Sequence, residues 1–167
     1  EEELGRSLDV KYGPLRSDRS VESQLFTSLS IRVTQQVVSL ADDEIMKEAL
    51  LEAEAGERRI TAEHLDAKEW TENLKSVQED DNVILLDCRN VYESNVGRFE
   101  VKNASTLLTN TRQFADLPAV LESRKDELAK ASKIYAYCTG GVRCERATLY
   151  LHKLLGDGPK IYQLHGG

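Results

Sequence analysis

The sequence predicts an α/β fold in which helices flank a central parallel sheet. Two largely apolar runs, at residues 83–86 and 133–137, have the length and composition of strands that are buried on both faces, and residues 161–164 predict a third short strand. An amphipathic segment at residues 143–155, followed by Gly156, separates the second run from this third strand and predicts a helix. Strands that alternate with helices form βαβ units, and such units build parallel sheets.

Three segments are predicted along the chain. Residues 1–40, a polar loop followed by β-branched residues typical of a strand, are expected to be the remnant of a small N-terminal domain. Residues 41–59 are expected to form a connecting helix. Residues 60–167 are expected to form the main domain, truncated at its C-terminus, and to open with a helix over residues 62–76.

Composition and charge limit the possible locations and partners. No apolar run is long enough to cross a bilayer, so no membrane partner is expected. Three cysteines without regular spacing suit a reducing compartment, and we expect the cytoplasm, with an organelle as the open alternative. The formal net charge of −7 disfavours binding of the whole chain to a phosphate backbone. An RNA partner therefore requires a local basic patch or residues outside this chain.

Polar residues follow each predicted strand of the main domain. Asp87, Cys138 and His165 each come directly after one of these strands. In parallel α/β sheets, binding and catalytic sites gather beyond the carboxyl ends of the strands. We therefore expect the functional site at this edge of the sheet. For His165 two roles stay open, a general acid or base and a hydrogen-bonding partner of the backbone.

The segment that begins at Cys138 has the features of a nucleophile site. It continues with Thr139, Gly140, Gly141, Val142 and Arg143. Two glycines between a strand and a helix allow the backbone to curl, so that its N–H groups surround the sulfur. These groups, the helix dipole and the Arg143 guanidinium favour an anion, which lowers the pKa of a thiol. A buried structural thiol beside a glycine turn is the alternative.

The segment from Tyr137 to Ala147, which reads YCTGGVRCERA, resembles the active-site loop of the rhodanese superfamily. More narrowly, it is similar to the CTGGIRCE signature of the tRNA uridine 5-hydroxylase family. Residues 86–99, LDCRNVYESNVGRF, resemble the D-x-R-N-x-Y-E-x-x-x-G-H-F pattern of that family, with Arg98 in place of its histidine. Residues 111–114, TRQF, and 164–167, LHGG, are similar to later segments of the family.

The resemblance implies a rhodanese-like three-layer domain in which Cys138 carries sulfur as a persulfide, without any other cofactor. The amides of the loop, together with Arg143, are expected to hold the anion. The expected partners are a small sulfur donor such as thiosulfate, or a protein persulfide. In its full-length form such a protein is expected to act on tRNA, where family members are linked to conversion of the wobble uridine to 5-hydroxyuridine with oxygen.

Two other functions remain open. Dual-specificity phosphatases share the fold, but their loop has one residue more between cysteine and arginine than the four in this chain. A single sulfur atom fits the tighter loop, whereas a phosphate needs the wider one. The second alternative is a rhodanese-like domain that only binds or regulates a partner. Because Cys138 and Arg143 are both present, we favour the enzyme.

Several neighbouring side chains are further candidates. Arg89 either binds an anionic donor or pairs with Asp87 or Glu93, which are expected to give structural support. Cys144 either resolves an oxidised or sulfur-loaded Cys138 as a disulfide or packs as a small apolar residue. The cysteines and histidines lack the spacing of a metal site, so no metal is expected.

Overall fold

The structure, a computed structural model, describes residues 62–167 together with Val38, Leu40, Lys47, Glu48 and Leu51. All of them belong to one compact unit, Gln36–Gly167. The strand predicted before residue 40 lies outside the described residues, and so does most of the predicted connecting helix. The division of the chain at residues 40 and 59 therefore stays a prediction.

A five-stranded parallel sheet forms the centre of the domain, which confirms the predicted α/β fold class. The strands are β1 (Glu63–Leu65), β2 (Val83–Asp87), β3 (Ala104–Leu108), β4 (Lys133–Tyr137) and β5 (Lys160–Leu164). Their order in the sheet is β1-β5-β4-β2-β3, so the central strand is β4. All neighbouring pairs are parallel, and their carboxyl ends therefore share one edge.

Five helices and a short 3-10 turn connect the strands. The helices are α1 (Ala67–Lys75), α2 (Val91–Val96), α3 (Leu117–Ser123), α4 (Lys125–Ala129) and α5 (Val142–Leu155). The 3-10 turn, Phe114–Asp116, leads directly into α3. Helix α5 coincides with the predicted amphipathic helix to within one residue.

The prediction of a helix over residues 62–76 was wrong for its first residues. Glu63–Leu65 forms strand β1 and pairs in parallel with β5, and the helix begins only at Ala67. Asp66 separates the two elements because its side chain caps the helix and accepts hydrogen bonds from Lys68 N and Glu69 N, 2.8 Å each. The apolar spacing of the segment is helical, but pairing with a distant strand overrides it at the first turn.

Hydrophobic clusters cover both faces of the sheet, which gives the three-layer arrangement. On one face, side chains of α3, α4 and α5 pack against β2 and β4. On the other face, Trp70 and Leu74 of α1 pack against Val83, Leu85 and Tyr135. Side chains alternate along β4, so Tyr137 belongs to the α1 face and Cys138 to the α5 face. The carboxyl end of β4 is thus held by packing from both sides.

Candidate active site

Cys138 lies at the point where the central strand gives way to helix α5. Strand β4 ends at Tyr137, and α5 begins at Val142. Gly141 adopts a φ of 80°, a conformation that glycine reaches without steric cost, and this turns the chain back towards the sulfur. The Gly141 N–H donates a hydrogen bond to Cys138 Sγ over 3.1 Å. The sulfur is therefore held by the backbone of its own loop.

The surroundings of Cys138 lower the pKa of its thiol to about 5. The largest cause is a hydrogen bond with the Cys144 side chain, and the amides of Gly140, Cys144 and Gly141 act in the same direction. Burial opposes them, since a buried thiolate loses hydration, but its effect is smaller than their sum. At neutral pH the residue is a thiolate, the form of cysteine that reacts as a nucleophile.

Cys144 belongs to the same site as a hydrogen-bond donor. Its side chain interacts with both Cys138 and Cys88, and these hydrogen bonds, together with burial, raise the pKa of its thiol well above the ordinary value. All three cysteines are buried and free, with no disulfide between them. Cys144 therefore stays protonated and donates to the Cys138 thiolate. Its role as a resolving thiol stays a prediction.

The Arg143 guanidinium is turned towards helix α2. It forms a bidentate ion pair with Glu93, with nitrogen–oxygen distances of 2.6 and 2.8 Å, and also donates to Thr139 Oγ1 over 2.9 Å. Thr139 in turn donates to Glu93 Oε1. These bonds lower the pKa of Glu93 to about 2, and the largest contribution comes from Arg143. The triangle ties the cysteine loop to α2, and the contribution of Arg143 to anion binding stays a prediction.

Arg89 is engaged by Asp87 at the end of strand β2. Two of its nitrogens bond the two carboxylate oxygens of Asp87 over 2.9 and 2.7 Å, and the second also donates to the Gly97 carbonyl. The buried carboxylate also accepts hydrogen bonds from Ser94 and Tyr137. Burial alone raises the pKa of Asp87, but these bonds outweigh burial and hold the pKa below its usual value. Asp87 thereby fixes the loop beside Cys138.

The turn after strand β5 contacts the cysteine loop through backbone alone. A Cβ on Gly167 would lie 2.6 Å from Gly141 N and still nearer to Gly140 N. Real Cβ atoms do not approach backbone so closely, and Gly167 also has a φ of 107°. This glycine therefore allows the turn to support the amides around Cys138.

We expect Gly167→Ala to displace these amides and so to raise the pKa of Cys138. The measurement is the pH dependence of Cys138 alkylation by iodoacetamide, followed by peptide mass spectrometry. Gly97→Ala is the matched control, because Gly97 has extended backbone and open space where a Cβ would lie. An unchanged pH profile in Gly167→Ala would show that the turn does not position the loop.

A polar network beside the loop was missed by the sequence reasoning. His64 of β1 and Gln163 of β5 both contact Glu145 Oε1, over 2.8 and 2.6 Å, and Thr148 donates to Gln163. The sequence placed His64 on a helix, so this contact could not be foreseen. Gln163 is buried between polar partners, and the network joins β1, β5 and α5 on the side of the loop away from Glu93.

The described residues contain neither a helix that could span a membrane nor a cluster of metal-ligating side chains. None of the helices described between residues 62 and 167, nor the isolated helical positions before them, is long and apolar enough to span a membrane. In the same part of the chain, no group of three or more histidine, cysteine or acidic side chains is arranged as ligands of a metal ion.

The domain has a parallel α/β sheet and, directly after its central strand, a cysteine whose pKa is lowered. These features define a class of proteins in which a cysteine thiolate is the reactive group. Comparison with known families makes this specific, because the sequence profile described as rhodanese-like domain matches residues 71–167. The chain belongs to the rhodanese-like domain family. This confirms the resemblance read from the cysteine loop.

Similar proteins cover most of this chain. It is 35% identical to rhodanese-like domain-containing protein 6 of Arabidopsis thaliana over 154 residues. This aligned region covers 90% of the chain and 25% of the relative. The tRNA uridine(34) hydroxylase of Staphylococcus epidermidis is 33% identical over 147 residues, 87% of the chain and 39% of the relative. The tRNA uridine(34) hydroxylase of Aster yellows witches'-broom phytoplasma is 37% identical over 149 residues, which cover 89% of the chain and 42% of the relative. The chain thus spans between a quarter and about two fifths of these relatives.

Proposed function

We propose that Cys138 accepts sulfur as a persulfide. The observation that carries the proposal is the Gly141 N–H bond to Cys138 Sγ at 3.1 Å, in a site that lowers the pKa of the thiol. With thiosulfate, the thiolate attacks the outer sulfur and a new S–S bond forms. The S–S bond of the donor breaks, and sulfite leaves with its electron pair. The resulting persulfide anion is stabilised by the same amides.

The size of the loop favours sulfur over phosphate. Four residues separate Cys138 from Arg143, and the guanidinium is held by Glu93 and Thr139. A phosphoryl group presents three oxygens that need donors at once, whereas a terminal sulfur needs only the amides that already face it. The phosphatase function is therefore not proposed.

We also propose that the full-length protein acts on the wobble uridine of tRNA. The relatives named tRNA uridine(34) hydroxylase support this substrate, and their similarity includes the cysteine loop. Hydroxylation of uridine is a two-electron oxidation; with molecular oxygen as the oxidant, one oxygen atom enters the base and a two-electron donor such as a thiol reduces the other to water. The site described here contributes a nucleophilic sulfur to that chemistry.

Incubation with thiosulfate, then with cyanide, tests the sulfur chemistry. We expect intact-protein mass spectrometry to find one added sulfur on Cys138, and cyanide to release it as thiocyanate. Cys138→Ser should reduce both signals to background, because a hydroxyl is not deprotonated near neutral pH. Cys88→Ser is the matched control, since it removes another buried cysteine and leaves the loop unchanged. If the wild-type protein gains no sulfur after incubation with thiosulfate, the proposal is contradicted.

Nucleoside analysis of tRNA tests the substrate and the binding-module alternative. Cells without the full-length protein are expected to lose 5-hydroxyuridine derivatives, and wild-type protein should restore them. Full rescue by Cys138→Ser would instead indicate a domain that binds and does not catalyse.

A further inference from the structure

Arginine residues are concentrated at the edge of the sheet that carries Cys138. Residues 62–167 contain six arginines, and four of them lie just after the carboxyl ends of strands or on the first two turns of α5: Arg89, Arg112, Arg143 and Arg146. At the opposite edge, before β2, a cleft is lined by Glu79, Asp80 and Asp81. The acidic side chains before β2 and these arginines thus lie at opposite edges of the sheet.

Two of these four arginines have no side-chain partner among the described residues. The other two, Arg89 and Arg143, form bidentate ion pairs. Within the described part of the chain, Arg112 and Arg146 have neither an ion pair nor a hydrogen bond from the side chain. Arg112 follows Thr111, whose carbonyl accepts from Val91 N at the start of α2. The two free guanidinium groups therefore lie on different elements, Arg112 on the segment after β3 and Arg146 on α5, which begins directly after the cysteine loop.

Exposed apolar and aromatic side chains lie on the same elements. Tyr92 and Val96 are 62% and 91% exposed on α2, one turn apart, and Val142 is 46% exposed beside Cys138. Of the carboxylates at this edge, Glu93 is bound by Arg143 and Glu145 is hydrogen-bonded to His64 and Gln163, whereas Asp116 has no side-chain partner among the described residues. A partner at this edge thus meets free positive charge and an exposed aromatic ring.

We propose that Arg112, Arg146, Tyr92 and Val142 form a surface that binds a single-stranded RNA segment across Cys138. The guanidinium groups bind phosphates on either side of the reactive nucleotide, and the Tyr92 ring stacks on an unpaired base. Charge complementarity favours RNA over a protein partner, because the two unpaired guanidinium groups at this edge can bind phosphates. The inference rests on the proposed action on tRNA and adds where the RNA lies.

Binding of a short unmodified RNA hairpin, with uridine in its single-stranded loop, tests the surface on the complete chain. We expect Arg112→Gln combined with Arg146→Gln to weaken binding at low salt at least about tenfold and to flatten the log–log salt dependence by about 1.4. Tyr92→Ala should weaken binding roughly tenfold with little change in that slope. Lys125→Gln with Lys130→Gln removes the same charge at and beside α4 and should leave binding almost unchanged.

Two results would overturn the inference. Equal weakening by both double variants would mean that only net charge matters, and absence of RNA binding by the wild type at low salt would assign the surface to another partner. Persulfide formation from thiosulfate, measured on the same variants, should be unchanged and shows that they are folded. RNA binding without persulfide formation would refute the sulfur chemistry and leave the RNA surface intact.

Discussion

Replacement of Asp87 by alanine is expected to lower the free energy of unfolding by about 3–5 kcal/mol, the usual cost of removing one partner of a buried ion pair. Its carboxylate is inaccessible to solvent and accepts hydrogen bonds from Arg89, Ser94 and Tyr137. Without it, the mostly buried Arg89 guanidinium loses both bidentate bonds, and the two hydroxyl groups lose their acceptor. Urea unfolding followed by circular dichroism measures the change.

The effect of Asp87 should depend on pH in a defined direction. Its pKa is lowered in the folded protein, so its ionised form stabilises the fold above the ordinary carboxyl pKa. That stabilisation is lost as the pH falls through the folded-state pKa, and the difference between wild type and Asp87→Ala should shrink there. Glu127→Ala, which removes the exposed partner of Arg124, is the control and should leave unfolding unchanged. An Asp87→Ala protein as stable as the control would contradict the structural role.

Local patterns were sufficient to predict the centre of the sheet but not its edges. Strands β2 and β4 contain continuous apolar runs, and such runs indicate buried parallel strands without knowledge of their partners. Strand β1 has three residues and exists because it pairs with β5, almost a hundred residues later. In β3 only Leu107 is buried, so this edge strand lacks the apolar pattern of the central strands. Both β1 and β3 therefore form because they pair with strands elsewhere in the chain, not because of their local sequence pattern.

The position of Cys138 in a glycine loop could be predicted from the sequence, whereas the partner of Arg143 could not. Cys138 and its glycines are adjacent in the chain and form a short motif. Arg89 was expected to bind an anionic donor or to pair with Asp87 or Glu93; it pairs with Asp87, and Glu93 pairs with Arg143, fifty residues away. Glu93 could neutralise either Arg89 or Arg143, and only the three-dimensional placement of α2 against the cysteine loop selects Arg143.

Alkylation of Cys138 is expected to follow a pH profile with its midpoint near 5, because the pKa of the thiol is lowered to about 5. The residue gains a proton only below this value, so the rate with iodoacetamide should be nearly constant above about pH 6 and fall in more acidic buffer. Peptide mass spectrometry separates Cys138 from Cys88 and Cys144. A free cysteine in the same buffers should still become more reactive towards pH 8.5, near its own pKa.

Cys144→Ala identifies the source of this acidity. The Cys144 thiol is the largest stabilising partner of the thiolate, and a hydrogen bond to a charged group contributes about 1.5–3 kcal/mol, or about 1–2 pH units. The midpoint of alkylation should therefore move upwards by that amount. Cys88→Ala is the control, since the Cys88 side chain is hydrogen-bonded to Cys144 and is not among the groups that lower the pKa of Cys138. If the midpoint stays near 5 in Cys144→Ala, the loop amides alone stabilise the sulfur, and Cys144 contributes only packing.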